Sequence, residues 1–192
     1  MPEPTAAQTI GPFFGGFLVG RNQYRVSLIE AIASHDFPQI IVSLCLLDAE
    51  GAPVNDAMCE IWQANPHGRY DHPADRRNAP LLPGFTGFAR AHTDADGACE
   101  FITLMPGRVP ASAGGLQAPH ISVSIFARGL LQRLVTRVYF ADDPTLAEDE
   151  VLNLIPAARR QTLVAQADPA QPHRYGLTLR LGGSGETVFF DC

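Results

Sequence analysis

The side chains best placed to do chemistry in this chain are Tyr70, His120 and Arg128, and each has a neighbour that limits it. His120 opens the run His120-Ile121-Ser122-Val123-Ser124-Ile125-Phe126. In a strand, residues i and i+2 project from the same face, so histidines at both positions can bind one metal. The second position here is Ser122, whose neutral hydroxyl is a poor metal ligand. Taken by itself, a lone histidine on an apolar strand is a hydrogen-bonded structural residue. Tyr70 closes Glu60-Ile61-Trp62-Gln63-Ala64-Asn65-Pro66-His67-Gly68-Arg69-Tyr70, and a phenolate suits a hard, highly charged cation. His67 and His72 lie among Pro66, Gly68 and Pro73, an irregular loop with no fixed ligand geometry, and read as solvated. Arg128, in Phe126-Ala127-Arg128-Gly129, can grip a carboxylate through two parallel hydrogen bonds. A surface arginine bonded to carbonyls is the alternative at that position.

The elements that must carry these side chains are short apolar runs: Ile40 to Leu47, Ala57 to Gln63, Ala98 to Leu104, His120 to Phe126, Leu134 to Phe140, Leu177 to Leu181 and Thr187 to Phe190. Glycine and proline separate nearly all of them. Asp48-Ala49-Glu50-Gly51 and Asp94-Ala95-Asp96-Gly97 read as hairpin turns. The second is no calcium loop: its glycine comes too early, and Met105 occupies the place of the bidentate glutamate. The pattern predicts a mainly all-β chain folded as a β-sandwich. Residues 1–38, with Pro2, Pro4, Pro12 and Gly15-Gly16, read as an N-terminal arm before a single domain over 39–192. Helix is expected only at Gln23 to Ser34 and near Pro144 to Val151.

At 192 residues and 46% hydrophobic, the chain can fill one core. Cys45, Cys59, Cys99 and Cys192 form no C-x-x-C pair, and the first three sit in apolar runs. They read as free thiols in a reducing compartment. The start has no cationic stretch before an apolar one, and no run reaches membrane-spanning length, so a cytoplasmic protein with no membrane contact is expected. A net charge of −6 and scattered arginines argue against a nucleic-acid partner.

The segments around Tyr70 and His120 resemble those of the intradiol ring-cleaving dioxygenases. Further matches are Gln8-Thr9-Ile10-Gly11-Pro12-Phe13, Thr136-Arg137-Val138-Tyr139-Phe140, Val151-Leu152-Asn153-Leu154-Ile155 and Gly185-Glu186-Thr187-Val188-Phe189-Phe190-Asp191. The resemblance runs from Thr5 to the end, and is to the alpha type of subunit, which carries no iron of its own. It implies an intradiol β-sandwich whose metal site is half lost: Tyr70 and His120 stand at ligand positions, while Val109 and Ser122 stand where a second tyrosine and a second histidine belong.

The resemblance therefore implies no metal in this chain and Fe(3+) in a partner beta subunit of related fold. The implied reaction is O2-dependent cleavage of the catechol ring of protocatechuate, performed by a higher-order αβ oligomer. It also implies substrate-binding roles for Arg128, Thr9 and Phe13 at the interface with the partner's pocket. The family often has tyrosine where Phe13 stands, so a hydrogen bond from that position is lost. For Thr9 and Phe13 an unstructured tail is the other reading. The alternative function is a non-catalytic module that binds a small aromatic anion or serves assembly.

Overall fold

The computed structural model describes residues 18–20, 23–30, 36–112 and 114–191. Among them are nine strands: β1 (Arg25–Ser27), β2 (Gln39–Leu47), β3 (Met58–Gln63), β4 (Phe88–His92), β5 (Ala98–Leu104), β6 (His120–Phe126), β7 (Leu134–Phe140), β8 (Val164–Asp168) and β9 (Gln171–Arg180). They hydrogen-bond in the order β1-β5-β2-β9-β8-β7-β6-β3-β4. The link between β7 and β8 is short and parallel, only Tyr139 to Val164 and Phe140 to Ala165. At the other seam, Ile29 bridges Phe85 and the His92 N–H bonds the Gln23 carbonyl at 2.9 Å, so the sheet nearly closes on itself. The expected β-sandwich is what forms.

Alternation decides which side of each strand faces inward. In β2, Ile40, Val42, Leu44 and Leu46 are buried, while the intervening residues are not. In β6, Ile121, Val123 and Ile125 join the same core, which also takes Ile61 from β3, Phe101 from β5, Val138 from β7 and Leu179 from β9. His120 and Ser122 therefore belong to the outer face of β6, away from the main core. A second, smaller cluster of Ala118, Tyr139, Leu152, Ile155 and Leu163 covers part of that outer face.

Several expectations are corrected. The stretch from Gln23 holds no helix over its described part: Arg25–Ser27 is a strand paired in parallel with β5, so long-range pairing outweighs a weak local pattern. Neither acidic turn closes a hairpin ladder. After Asp48–Gly51 the chain makes one bridge, Leu47 to Pro53, and crosses over to β3; Asp94–Gly97 carries it from β4 to β5, which lie in different halves of the sheet. The Asp94 carboxylate shapes that turn by accepting from Asp96 N at 3.0 Å and Ala98 N at 2.9 Å. Thr187 to Phe190 is extended but forms no ladder, because its N–H groups bond separate elements: Thr187 to Arg180, Val188 to Thr162 and Phe190 to Val135. The Leu177 run is the second half of the longer β9.

Near Pro144 the helical signal resolves into a 3-10 turn, Leu146–Glu148, and a short helix, Glu150–Leu154. A further turn of helix spans Ala157–Arg160. Cys45, Cys59 and Cys99 are free thiols. No helix among the described residues is long and apolar enough to cross a membrane.

Candidate functional site

Strand register assembles the site. On the outer face, β6 places Ser122 between Trp62 of β3 and Arg137 of β7, while His120 stands opposite Tyr139. A row of side chains thus crosses three strands on one surface, with Arg137 beside the histidine.

Loops bring the remaining residues over this surface. Asn65 folds the segment after β3: its Oδ1 accepts from His67 N at 2.9 Å and Arg69 N at 3.1 Å, and its Nδ2 donates to the Pro80 carbonyl at 2.9 Å. The Asn65 carbonyl accepts from Gly107 N at 3.0 Å, which pins the segment after β5 against it. The approach admits no side chain at two points. A Cβ on Gly107 would sit 2.3 Å from the Pro66 carbonyl oxygen, and one on Gly68, at φ +75°, 2.1 Å from that of Arg108. This contact sets Val109 beside Tyr70.

The result is a cleft of about 380 Å³ in which Tyr70, Val109, His120 and Ser122 are joined by Arg77, Arg137, Gln117 and Pro110. A neighbouring hollow of about 430 Å³ shares Tyr70, Arg77 and Ser122, and adds Trp62 and His72. The rings of Trp62 and Tyr70 lie 6.1 Å apart, and those of Trp62 and His72 5.6 Å apart.

His120 is buried, and its Nδ1 lies 2.8 Å from the Ala118 carbonyl. A carbonyl can only accept, so Nδ1 carries the proton and Nε2 keeps its lone pair. Burial, with Arg137 nearby, lowers the histidine pKa to about 4 and keeps the ring neutral. Burial likewise raises the pKa of the Tyr70 phenol. Asp75 accepts from Tyr70 N at 2.9 Å and from Arg77 Nε at 2.7 Å, and the arginine hydrogen bonds hold its carboxyl well below the usual range. Arg77 is therefore paired. Arg137 is not: its Nη1 donates to Gln117 Oε1 at 2.8 Å and Tyr139 Oη at 3.1 Å, and none of the ion pairs among the described residues includes it.

Behind Arg137, the buried Asp149 carboxylate accepts from Ala118 N at 2.8 Å, Leu152 N at 2.7 Å and the Tyr139 hydroxyl at 3.0 Å. It fixes the carbonyl-bearing segment that orients His120.

These donors do not fit ferric iron. Val109 is apolar, Ser122 is a neutral hydroxyl, and the guanidinium opposite Ser122 repels a cation. Among the described residues no cluster of at least three His, Cys, Asp or Glu side chains converges anywhere.

Arg128 lies elsewhere. It follows the far end of β6, about 20 Å along the strand from His120 at ~3.3 Å per residue. Its Nε donates to Asp56 at 2.8 Å, and its side chain is 70% exposed. His67 packs edge-on to Phe37 with ring centroids 5.1 Å apart, and lines neither hollow. Thr9 and Phe13 fall outside the described residues. The residues that sequence reasoning passed over are Arg77, Gln117 and Arg137. For Arg137 a signal existed, since an arginine inside the apolar run Leu134 to Phe140 must point away from the core.

A family model described as Dioxygenase matches residues 28–180. The chain is 41% identical over 200 residues to the protocatechuate 3,4-dioxygenase alpha chain of Burkholderia cepacia, covering 98% of both chains. It is also 40% identical over 130 residues to the beta chain of that enzyme from the same organism, covering 67% of this chain and 55% of the relative. Among solved structures, catechol 1,2-dioxygenase from Acinetobacter sp. ADP1 superposes with a TM-score of 0.62 at 21% identity. That match covers 88% of this chain and 61% of the other, and supports the fold.

Proposed function

The chain belongs to the intradiol dioxygenase family, and from that premise we propose that it is the alpha subunit of a protocatechuate 3,4-dioxygenase whose iron is carried by a beta subunit. The assembled αβ oligomer uses O2 to cleave protocatechuate between its two hydroxylated carbons, yielding 3-carboxy-cis,cis-muconate, in the cytoplasm. The similarity reaches 98% of both this chain and a relative named as an alpha chain. Similarity to a beta chain fits two subunits of one origin.

The observation that carries the division of labour is the cleft. At the positions that resemble a ligand set stand Tyr70, Val109, His120 and Ser122, with Arg137 facing the last of them. A site that has lost half its donors and gained an opposed cation holds scaffold rather than metal.

What this chain supplies to the reaction is positioning. Arg128 stands at a strand end on an exposed turn, tied among the described residues to Asp56 in a surface pair that costs little to break. Swung toward the partner's pocket, its guanidinium meets the ring carboxylate of protocatechuate in the two-point geometry that fixes the ring's orientation. Thr9 and Phe13, outside the described residues, are assigned to the same substrate site on the resemblance of Gln8 to Phe13 to the family's interface stretch.

The test is iron content and protocatechuate-dependent oxygen uptake, measured for this chain alone and co-expressed with a beta chain. Colourless and inactive alone, but iron-loaded and active together, is the expected result. Iron and turnover in the lone chain would overturn the reading.

A further inference from the structure

A cleft that does not suit a metal can still suit a ligand, and this one has a definite chemical character. Its charge balance is simple. Arg77 is paired with Asp75, His120 is neutral and Tyr70 is a phenol, which leaves Arg137 as the wall's charged side chain without an ion pair among the described residues; the Asp149 carboxylate behind it is reached only through the Tyr139 hydroxyl. A cation held between strands by neutral hydrogen bonds favours one anionic group beside it.

The positions of the donors and acceptors narrow the ligand further. Every hydrogen bond of Arg137 to a described residue runs through Nη1, and the Nε–Nη2 edge is engaged by none of them. That edge is the one that meets a carboxylate with two parallel bonds. At the other end of the wall, His120 offers the Nε2 lone pair, because Nδ1 is committed to Ala118. A lone pair fixed at that point asks for a hydroxyl donor. The aromatic wall of the cleft is Tyr70, and Trp62, 39% exposed, lines the adjoining hollow that shares Tyr70 and Ser122 with it. The volume of about 380 Å³ falls within the range of small-molecule sites, ~300–1,000 Å³.

We propose that the cleft between His120 and Arg137 is a metal-free binding site for a small aromatic monoanion that carries both a carboxylate and a ring hydroxyl. The carboxylate lies on Arg137, the hydroxyl donates to His120, and the ring packs against Tyr70. The inference rests on this chain's own cleft and stands whether or not a beta chain supplies the iron.

The experiment is calorimetric titration of 4-hydroxybenzoate into the full chain after treatment with a chelator. Phenol serves as a second probe. Saturable binding at one site per chain is expected, with phenol at least tenfold weaker because it lacks the anion. R137Q is expected to lower the affinity by about tenfold to a hundredfold, the loss that accompanies removal of a charged hydrogen-bond partner. R137K restores part of it. Ser122→Phe keeps Arg137 but fills the cleft, and it abolishes binding; it serves where R137Q fails to fold, as judged by circular dichroism. No binding to the intact chain would overturn the proposal. So would equal affinity for phenol, or undiminished affinity in folded R137Q or Ser122→Phe.

Discussion

Ser122 and Arg137 face each other directly across adjacent antiparallel strands. The place where a second histidine would complete a metal site is thus occupied by a hydroxyl whose cross-strand neighbour on β7 is a cation. The missing ligand and the guanidinium beside it act in the same direction, since each alone weakens cation binding and together they leave a wall that prefers an anion.

Substitution at this pair reads the local potential. Ser122→Glu places a carboxylate opposite Arg137, and opposite-charge cross-strand pairs contribute roughly 0.2–1 kcal/mol. The variant is expected to be more stable than the parent by about 0.5 kcal/mol in urea titrations at neutral pH, with the gain lost in an R137Q background. Ser122→Lys is expected to lose a similar amount. Indifference to the sign of the new charge would show that Arg137 does not govern this surface.

The buried histidine predicts a pH dependence with a defined window. His120 titrates at about 4 in the fold, against about 6.5 when unfolded, because burial and then Arg137 disfavour its charged form. Tyr139 and Arg137 face it from β7, Tyr70 and Arg77 from the loop above, and Asp149 from the helix start. Above pH ~6.5 the ring is neutral in both states and its contribution is complete. As pH falls toward 4, the unfolded chain takes up a proton that the folded chain refuses, and stability drops by up to roughly 3 kcal/mol. Asp75, whose carboxyl is held low by Arg77, begins to lose its contribution only as pH falls through the ordinary carboxylate value near ~3.9 and goes on losing it below, so the two windows follow one another. His120→Gln should flatten the urea midpoint between pH 6.5 and 4 while leaving the acid limb below it. A midpoint in the parent that is level over that interval would contradict the assignment.

The sequence was legible where side chains are large and branched. Ile40 to Leu47 and His120 to Phe126 alternate bulky apolar residues, and their strands fall where that pattern puts them. β4 and β8 escape the same reading because their inward positions include Ala89, Ala91 and Ala165, which bury little area and have weak strand preference. β1 escapes because its partner, β5, is distant in sequence. In the site, Tyr70, Val109, His120 and Ser122 could be named from motif spacing. Arg137 could be seen as outward-facing, but its place beside Ser122 is a matter of register, which no local pattern carries. Arg77 sits in a loop without periodicity, and its role follows only from Asp75.

Arg128 tests the contribution to a neighbouring pocket. In the co-purified αβ complex, Arg128→Ala should raise KM for protocatechuate by tenfold or more, the scale of a lost charged hydrogen bond, with iron content unchanged. The thermal midpoint should barely move, since the Arg128 to Asp56 pair is exposed. Arg128→Lys recovers charge but not the two-point grip, and should recover only part of the affinity. An unaltered KM would remove Arg128 from the substrate site.

Asp149 is the support on which the cleft's rigidity rests. Its buried carboxylate caps the Glu150–Leu154 helix through Leu152 N, holds Ala118 N, and takes the Tyr139 hydroxyl that in turn accepts from Arg137. Asp149→Ala removes a helix cap, worth about 1 kcal/mol, and strands further buried donors at ~1–3 kcal/mol each. A loss of about 3 kcal/mol is expected, which for a chain of this size lowers Tm by roughly 10 °C. Asp149→Asn keeps one acceptor oxygen and should fall between the two. Because Ala118 orients His120 and Tyr139 steadies Arg137, binding of 4-hydroxybenzoate should weaken in both variants at temperatures where both remain folded. A folded Asp149→Ala protein with parental Tm and affinity would mean that the polar network below the cleft neither stabilises the chain nor shapes its ligand.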